Sequence, residues 1–309
     1  MTAPTLCKLL CSGSALVLAT AARARAAELT VALYAPSMTF ESSTARLEYV
    51  QNVAREVAAA TGAPAIGRAF VRYDDLRKAR PDVAIIDGLC LAERREGTLI
   101  AVAQVGGETA QRWALLARPE LAPEGIGSLS RKRLAFVSTG CRDRDFLANA
   151  LFEGEVALDG FAGLVGRPDL AGAIAAVRDY KTADAVFAPV AAASGLVRVF
   201  ESRAVPTAGC VVRDAALAKA VRVALSRAGV GGAIDGWRPA SEGPYEALAA
   251  RLLPHPKTPL FAAPARFRLA LSEALVAPPL ALEPLDAARL FQRPPATARA
   301  RADTLEESR

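Results

Sequence analysis

The sequence predicts an α/β protein built from two similar lobes. Short apolar runs that are typical of buried strands alternate with segments in which apolar residues recur at helical spacing. This alternation indicates parallel strands with helices on both faces of a sheet. A strand–turn–helix pattern occurs at residues 29–61 and again at 133–152, and the recurrence predicts the two lobes.

The first lobe begins with the apolar run at 29–34, which a loop connects to a helical pattern. Gly62 and Pro64 predict the end of that helix, because both residue types are common just past a helix C-terminus. Further strands are predicted at 65–73, 82–86 and 98–105, with a short helix between the last two.

The second lobe follows a strand at 111–118 and a Pro/Gly-rich turn region. A strand at 133–137, a turn and a helix at 143–152 open it. The remaining predicted elements are a helix near 171–177, strands at 184–187, 196–200 and 209–212, and a helix at 217–225.

Charge and histidine content exclude several functional classes. The chain of 309 residues has 38 Lys and Arg against 32 Asp and Glu. Residues 1–26 contain three of the basic residues and no acidic one, so the remainder has 35 against 32 and a net charge of only +3. That balance excludes a strongly basic nucleic-acid-binding protein. His255 is the single histidine of the chain, which argues against catalytic triads and His-rich zinc sites.

The N-terminus has the pattern of a secretory signal. An uncharged run of 14 residues at 9–22 follows Lys8 and precedes the small-residue pattern Ala24-Arg25-Ala26. We expect removal of residues 1–26 and a periplasmic mature chain that starts near Ala27. The alternative is a short N-terminal membrane anchor.

Three cysteines remain after that cleavage: Cys90, Cys141 and Cys210. An odd number leaves at least one of them unpaired. The apolar neighbours of Cys90 and Cys210 favour cysteines that act as small buried hydrophobic residues. A CxxC motif is absent from the sequence, so a metal knuckle or a redox pair has no support.

The C-terminal segment 254–309 differs from the rest in composition. It contains nine of the chain's twenty prolines, and its last residues are polar. We expect a Pro-rich extension that is partly disordered and separable from the lobes.

Four segments, in order, resemble the periplasmic phosphate/phosphite/phosphonate-binding proteins of ABC transporters, which have the type 2 solute-binding fold. They are residues 29–33 with the helix ending at Ala-Thr-Gly-Ala-Pro 60–64, Arg-Pro-Asp-Val-Ala-Ile-Ile-Asp-Gly 80–88, Leu-Ala-Phe-Val-Ser-Thr-Gly 134–140 with 181–186, and 200–206 with 211–214. The resemblance covers about residues 28–253. It implies two lobes with mixed sheets, where 27–112 and 207–253 form lobe I and 116–203 form lobe II.

The resemblance also implies a function. The chain would be an exported solute-binding protein that takes a small oxyanion such as phosphate, phosphite or a phosphonate for an ABC-type importer. It would be a monomer that contacts a membrane permease or a sensor protein, with neither cofactor nor bound metal. The alternative is a ligand-free scaffold or sensor subunit that acts through protein partners. An enzyme is not expected, because a nucleophile–base pair cannot be assembled from the sequence.

The turn Ser138-Thr139-Gly140 is the first half of the predicted oxyanion site. It lies between a strand and a helix, where free backbone N–H groups and the positive helix end favour an anion. The hydroxyls add donors, and Arg142 could add charge-assisted hydrogen bonds. The alternative is that Ser138 or Thr139 serves only as a helix N-cap.

The second half of the predicted site comes from the first lobe. Tyr34, Ser37 and Thr39 follow the first strand, at the end where α/β clefts lie. Asp87 ends the third strand and could accept from an amine or hydroxyl, or could cap the helix that starts at Leu89. We interpret Asp143 and the nearby Asp145 as solvated charges beside neighbouring arginines.

Overall fold

The structure, a computed structural model, describes residues 28–254 apart from 95, 122–124 and 193. The predicted signal segment 1–26, His255 and the extension beyond Pro254 lie outside the described residues. Within the described ranges, we find no helix that combines the length and the apolar character needed to cross a bilayer.

Most of the predicted strands and helices occur along the described chain in the predicted order. The structure adds a helix at 73–79 and strands at 163–167 and 236–239, and the strand predicted at 65–73 ends at Ala69. The strands are β1 (Leu29–Tyr34), β2 (Ala65–Ala69), β3 (Val83–Ile86), β4 (Thr98–Gln104), β5 (Ala110–Ala117), β6 (Arg133–Val137), β7 (Gly163–Arg167), β8 (Ala185–Pro189), β9 (Val197–Pro206), β10 (Gly209–Val212) and β11 (Gly236–Pro239). The helices are α1 (Ser43–Thr61), α2 (Tyr73–Ala79), α3 (Gly88–Glu93), α4 (Asp143–Asp145), α5 (Leu170–Arg178), α6 (Ala218–Arg227) and α7 (Gly243–Arg251).

The strands form two mixed sheets, which confirms the predicted two-lobed α/β class with mixed sheets. The expectation of parallel strands from the strand–helix alternation alone is wrong, because both sheets also contain antiparallel pairs. The six-stranded sheet has the order β11-β4-β10-β3-β1-β2, and the elements around it are called lobe I. The five-stranded sheet has the order β7-β6-β8-β5-β9, and its elements are called lobe II. In lobe I β1 runs parallel to β2 and β3, whereas β10 is antiparallel to β3 and β4. In lobe II β6 runs parallel to β7 and β8, whereas β5 is antiparallel to β8 and β9.

Helix α1 shows how the sequence sets the local structure of lobe I. The Ser42 side chain accepts a hydrogen bond from the Ala45 N–H and caps the helix start. Val50, Val53 and Val57 recur at helical spacing and are buried. Gly62 ends the helix with a φ of 73°, a left-handed conformation that glycine adopts without strain, so the predicted stop is confirmed.

The apolar core continues across the junction of the two lobes. One face of the lobe I sheet packs with α1 and α6 in a separate core. The opposite face, with Tyr34 and Ile86, belongs to the same buried cluster as Leu134 and Phe187 of lobe II. Helix α7 adds Leu248 to that cluster. The lobes therefore meet through buried apolar side chains.

Between residues 28 and 254, two chain segments connect the lobes. The chain leaves lobe I between β4 and β5 and returns between β9 and β10. Thr207 joins the two connections, because its hydroxyl shares its one proton between the carbonyl oxygens of Ala103 and Thr109, at 2.5 and 3.0 Å. The Tyr245 hydroxyl of α7 donates to the Thr207 carbonyl at 3.0 Å.

The predicted helix at 143–152 differs in type from a regular α-helix. Only Asp143–Asp145 is α-helical, and Phe146–Leu151 forms a π-helix. The Phe152 N–H donates to the Leu147 carbonyl five residues earlier, at 2.9 Å. Apolar periodicity over ten residues does not distinguish this wider turn from a regular one.

Candidate functional site

The predicted polar residues lie where strands of both lobes end. Tyr34 is the last residue of β1 and Asp87 follows β3 in lobe I. Ser138 follows β6 in lobe II. Because the lobes meet at these strand ends, residues far apart in sequence come together between the lobes.

Asp87 forms a closed set of hydrogen bonds inside lobe I. The side chain is only 2% exposed. One carboxylate oxygen accepts from the Ser37 N–H at 3.0 Å and from the Ser37 hydroxyl, and the other accepts from the Leu89 N–H at 3.1 Å. Burial raises the pKa of Asp87 above its usual value, the bonds from Ser37 and Leu89 oppose that shift, and the nearby charge of Asp143 adds to it.

The Ser138-Thr139-Gly140 loop holds the carboxylate of Asp143. The N–H groups of Thr139 and Gly140 each donate to it at 3.0 Å. The Thr139 hydroxyl donates at 2.5 Å and the Ser138 hydroxyl at 3.3 Å. The arrangement is similar to a capping box, in which an acidic side chain reaches back to free N–H groups at a helix start. The donors that the sequence predicts for an external oxyanion thus bind an internal one.

The Arg142 guanidinium does not add to the donors of that loop, because it is bonded elsewhere. The backbone of Arg142 is left-handed, with a φ of 53°. Its guanidinium donates to the Asp145 carboxylate at 2.8 Å and to the Leu252 carbonyl at 3.3 Å. The sequence interpretation of Asp143 as a solvated charge is wrong, because this carboxylate is bound by the loop, whereas Asp145 forms a half-exposed ion pair.

Direct hydrogen bonds connect the lobes at the site. The Tyr34 hydroxyl donates to the Thr139 carbonyl at 2.6 Å. Burial raises the pKa of Tyr34, and the negative charges of Asp87 and Asp143 add to that shift. The Leu170 N–H at the start of α5 donates to the Pro36 carbonyl at 3.0 Å. The described structure is therefore a closed arrangement of the lobes.

A disulfide bond joins the lobes at the same place. Cys90 of α3 in lobe I is bonded to Cys141 of lobe II, with a Cα–Cα distance of 5.1 Å. Cys90 is buried as its apolar neighbours indicated, but it is bonded and does not act as a simple hydrophobic residue. Cys210 is free and buried, which agrees with the odd cysteine that the count requires. Burial raises the pKa of the Cys210 thiol, so it is a poor nucleophile.

A small cavity, here called the inner cavity, lies between the lobes. It offers about 20 Å³ to the centres of water molecules, which is room for about one water. Three of the predicted site residues line it, namely Ser37, Asp87 and Thr139. The other lining residues are mostly apolar and include Trp113, Phe136, Phe146 and Phe187; among the described residues that line it there is no Lys or Arg.

A wider space, here called the outer cleft, adjoins the inner cavity. It offers about 420 Å³ to water centres. Ser37, Met38 and Gln111 line both spaces, so they mark the neck between them. Thr39 lines only the outer cleft, and Arg178, its one basic lining residue in the described chain, is paired with Asp179 at 2.9 Å.

Sequence reasoning missed Asp143, the disulfide and the aromatic lining. The spacing of Asp143 three residues after Gly140 is a signal that could have indicated a capping acid. Two cysteines 51 residues apart carry no comparable signal of pairing. In the described part of the chain, no group of three His, Cys, Asp or Glu side chains has the geometry to hold a metal ion.

Comparison with known proteins finds similarity at the level of structure only. Neither a protein-family model nor a curated protein matches the chain. PhnD1 from Prochlorococcus marinus, solved with methylphosphonate, superposes with a TM-score of 0.57 at 13% identity, covering 72% of this chain and 96% of that one. A binding protein component of a phosphonate ABC transporter from Pseudomonas aeruginosa gives 0.53 at 12% identity, with 73% and 85% covered.

A third solved structure, a Xanthomonas citri protein bound to ATP, gives a TM-score of 0.52 at 16% identity and covers 73% of this chain and 96% of that one. Identities this low carry information on the fold and not on the ligand. The matches extend over most of the length of each neighbour and agree with the two mixed sheets described above. The chain has the type 2 periplasmic-binding-protein fold.

Proposed function

We propose that this chain is an exported protein that uses the type 2 binding-protein fold as a closed scaffold or sensor subunit and acts through a protein partner. The observation that carries the proposal is that the Asp143 carboxylate accepts the hydrogen bonds of the Ser138–Gly140 loop. In the oxidised, closed form the inner cavity has no place for a small oxyanion at these donors.

Space supports this proposal first. The inner cavity has room for about one water. Phosphate or methylphosphonate has a central atom and four attached groups, so the lobes would have to part before either ion could enter the inner cavity from the outer cleft. The Tyr34–Thr139 hydrogen bond and the Cys90–Cys141 disulfide both oppose that movement.

Charge supports it second. An oxyanion at the Ser138–Gly140 loop would have to replace the Asp143 carboxylate, which is attached to the same chain and competes at a high effective concentration. Hydrogen bonds to a charged group are worth about 1.5–3 kcal/mol each, and the incoming anion would only regain what Asp143 gives up. A displaced Asp143 and the buried Asp87 would also repel the anion.

The second candidate is an oxyanion-binding subunit of an ABC importer, with a membrane permease as partner. A specific observation favours it. The loop gathers two backbone N–H groups and two hydroxyls around one negatively charged group, and a phosphonate could use the same donors. Two structural neighbours are phosphonate-binding or phosphonate-bound proteins.

Calorimetric titration separates the two candidates. The oxidised full chain is titrated with phosphate, phosphite and methylphosphonate. The scaffold proposal expects no saturable heat from any of them. Stoichiometric binding with a micromolar or lower Kd would overturn it in favour of the importer candidate.

A matched pair of variants shows whether Asp143 is the reason. Asp143→Ala frees the loop donors, whereas Asp145→Ala removes a carboxylate of the half-exposed Arg142 pair two residues further on. If Asp143 is the internal occupant, only Asp143→Ala gains anion affinity, measured on protein whose fold is verified by circular dichroism. If both variants behave alike, Asp143 does not occupy the site.

Location and partner follow from the same proposal. We propose export to the periplasm, because disulfides persist in oxidising compartments and the N-terminus has a signal pattern. We propose no catalytic activity, no cofactor and a monomer that contacts a membrane-associated protein. The partner is tested by crosslinking the intact chain in membranes of the cells that produce it and identifying the captured protein. Capture of a permease would favour the importer candidate.

A further inference from the structure

We propose that Cys90–Cys141 is a covalent clamp between the lobes that makes opening of the cleft conditional on reduction. The inference goes beyond the proposed function, because such a clamp restricts the lobes whether or not the cleft takes a ligand.

The position of the bond is the first support. Cys90 lies three residues after Asp87, and Cys141 lies between Thr139 and Asp143. The bond therefore joins the two segments that carry the candidate site. The Thr139 carbonyl oxygen, which accepts from Tyr34, lies 3.6 Å from the Cys141 sulfur.

The number of connections is the second support. Without the disulfide, the described part of the chain joins the lobes covalently only at the two chain crossings, an arrangement that permits hinge rotation. The disulfide adds a third covalent connection. Because an intact disulfide keeps its Cα atoms within about 7 Å, the Asp87 and Thr139 segments cannot separate while it is present.

Burial is the third support. Both cysteines have an exposed fraction of 0%. A thiolate can reach either sulfur only when the structure opens locally, so the clamp is protected against chance reduction. The thiol Cys210 is also buried and lies on β10 in lobe I.

The chemistry of release needs a dithiol as the reductant. Its thiolate attacks one sulfur, the S–S bond breaks, and a mixed disulfide forms. The second thiol of the reagent then displaces the remaining cysteine. Two electrons and two protons pass to the protein, which leaves Cys90 and Cys141 as thiols and the reagent as a disulfide.

Amide hydrogen exchange, read by mass spectrometry or NMR, gives a site-specific test. The Leu170 N–H is the first of α5 and has no partner within its helix, so its bond to the Pro36 carbonyl is a reporter of lobe contact. The Ala173 N–H bonds within lobe II to the Asp169 carbonyl and is the internal reference.

The full oxidised chain is compared with dithiothreitol-treated chain and with the Cys90→Ala/Cys141→Ala double variant. We expect exchange at Leu170 to rise at least about tenfold more than exchange at Ala173 in both clamp-free forms. The single variant Cys210→Ala, with the clamp intact, should exchange at Leu170 as the parent does.

Several results would overturn the proposal. One is a peptide map of the oxidised chain without a Cys90–Cys141 linked peptide. Another is equal Leu170 exchange in the oxidised and clamp-free forms. If the double variant does not fold, the dithiothreitol-treated parent alone decides, since its side chains are otherwise unchanged. Neither result depends on whether the chain binds an oxyanion.

Discussion

The hydroxyl of Tyr34 in lobe I donates a 2.6 Å hydrogen bond to the backbone carbonyl of Thr139 in lobe II. The same Thr139 residue donates its N–H and its hydroxyl to Asp143. One residue of the candidate site is therefore held both from across the cleft and from within its own lobe. Lobe closure and the internal carboxylate are parts of one hydrogen-bonded arrangement.

Replacing Tyr34 by Phe tests the bond across the cleft. The variant keeps the buried ring but leaves the Thr139 carbonyl without this donor, so the free energy of unfolding should fall by about 0.5–1.5 kcal/mol. Urea denaturation measures it. Tyr180→Phe is the control, because Tyr180 is 72% exposed and its change should be within about 0.5 kcal/mol. Equal effects in the two variants would show that the Tyr34 bond contributes nothing.

Gly88 tests how tightly α3 fits against the crossing between the lobes. An added Cβ would lie 2.1 Å from the Pro206 carbonyl oxygen and 2.8 Å from that of Thr207. Both are backbone atoms that cannot rotate away, so Gly88→Ala should lower the free energy of unfolding by about 1–3 kcal/mol. Gly127→Ala is the matched control, since nothing lies within 4 Å of its added Cβ. A Gly88→Ala chain as stable as the control would contradict this packing.

Asp87 predicts a specific pH dependence of stability. Burial raises its folded pKa above the usual 3.8. The folded state therefore holds a proton at pH values where the unfolded state has lost it. The contribution of Asp87 to stability is fully present below its unfolded pKa and is lost as the pH rises through the folded pKa.

Comparison with Asp87→Asn isolates that contribution, because the amide does not titrate. Unfolding free energies of both chains are measured from pH 3.5 to 8. As the pH rises, the parent should lose stability relative to the variant. A difference between the two chains that stays constant over this range would mean that the Asp87 pKa is not raised.

The disulfide predicts a sensitivity to reductant. A cross-link over 51 residues restricts the unfolded chain, and its loss should cost about 2–5 kcal/mol. Denaturation with and without dithiothreitol should show that loss in the parent and in Cys210→Ala. The Cys90→Ala/Cys141→Ala double variant should be insensitive to the reductant. A parent that is equally insensitive would contradict a bond between these cysteines.

Local sequence patterns were sufficient for most strands and helices, but they did not indicate β7, β11 or α2. Strands such as β3 and β8 are buried on both faces and are continuous apolar runs, so their pattern is unmistakable. The stop of α1 at Gly62 is a local backbone requirement and was also predictable. These elements fix the fold class without information on distant residues.

The candidate site depended on contacts that local patterns do not contain. The sequence placed hydroxyl and amide donors at residues 138–140, and the structure finds them there. The sequence pattern did not indicate that Asp143 accepts their hydrogen bonds. The Cys90–Cys141 pairing depends on how two lobes approach each other. The π-helix at Phe146–Leu151 spaces its hydrogen bonds one residue further apart than an α-helix, which periodicity does not resolve.

The Gly140 amide gives the most direct test of the central claim that Asp143 fills the anion site in the closed form. Its N–H donates to the Asp143 carboxylate at 3.0 Å, so its ¹H–¹⁵N resonance reports what occupies the loop. Methylphosphonate is titrated into the oxidised ¹⁵N-labelled chain. We expect the Gly140 resonance to stay in place up to millimolar ligand. A saturable shift of Gly140 together with Thr139 would show that an external oxyanion replaces Asp143, and the claim would be wrong.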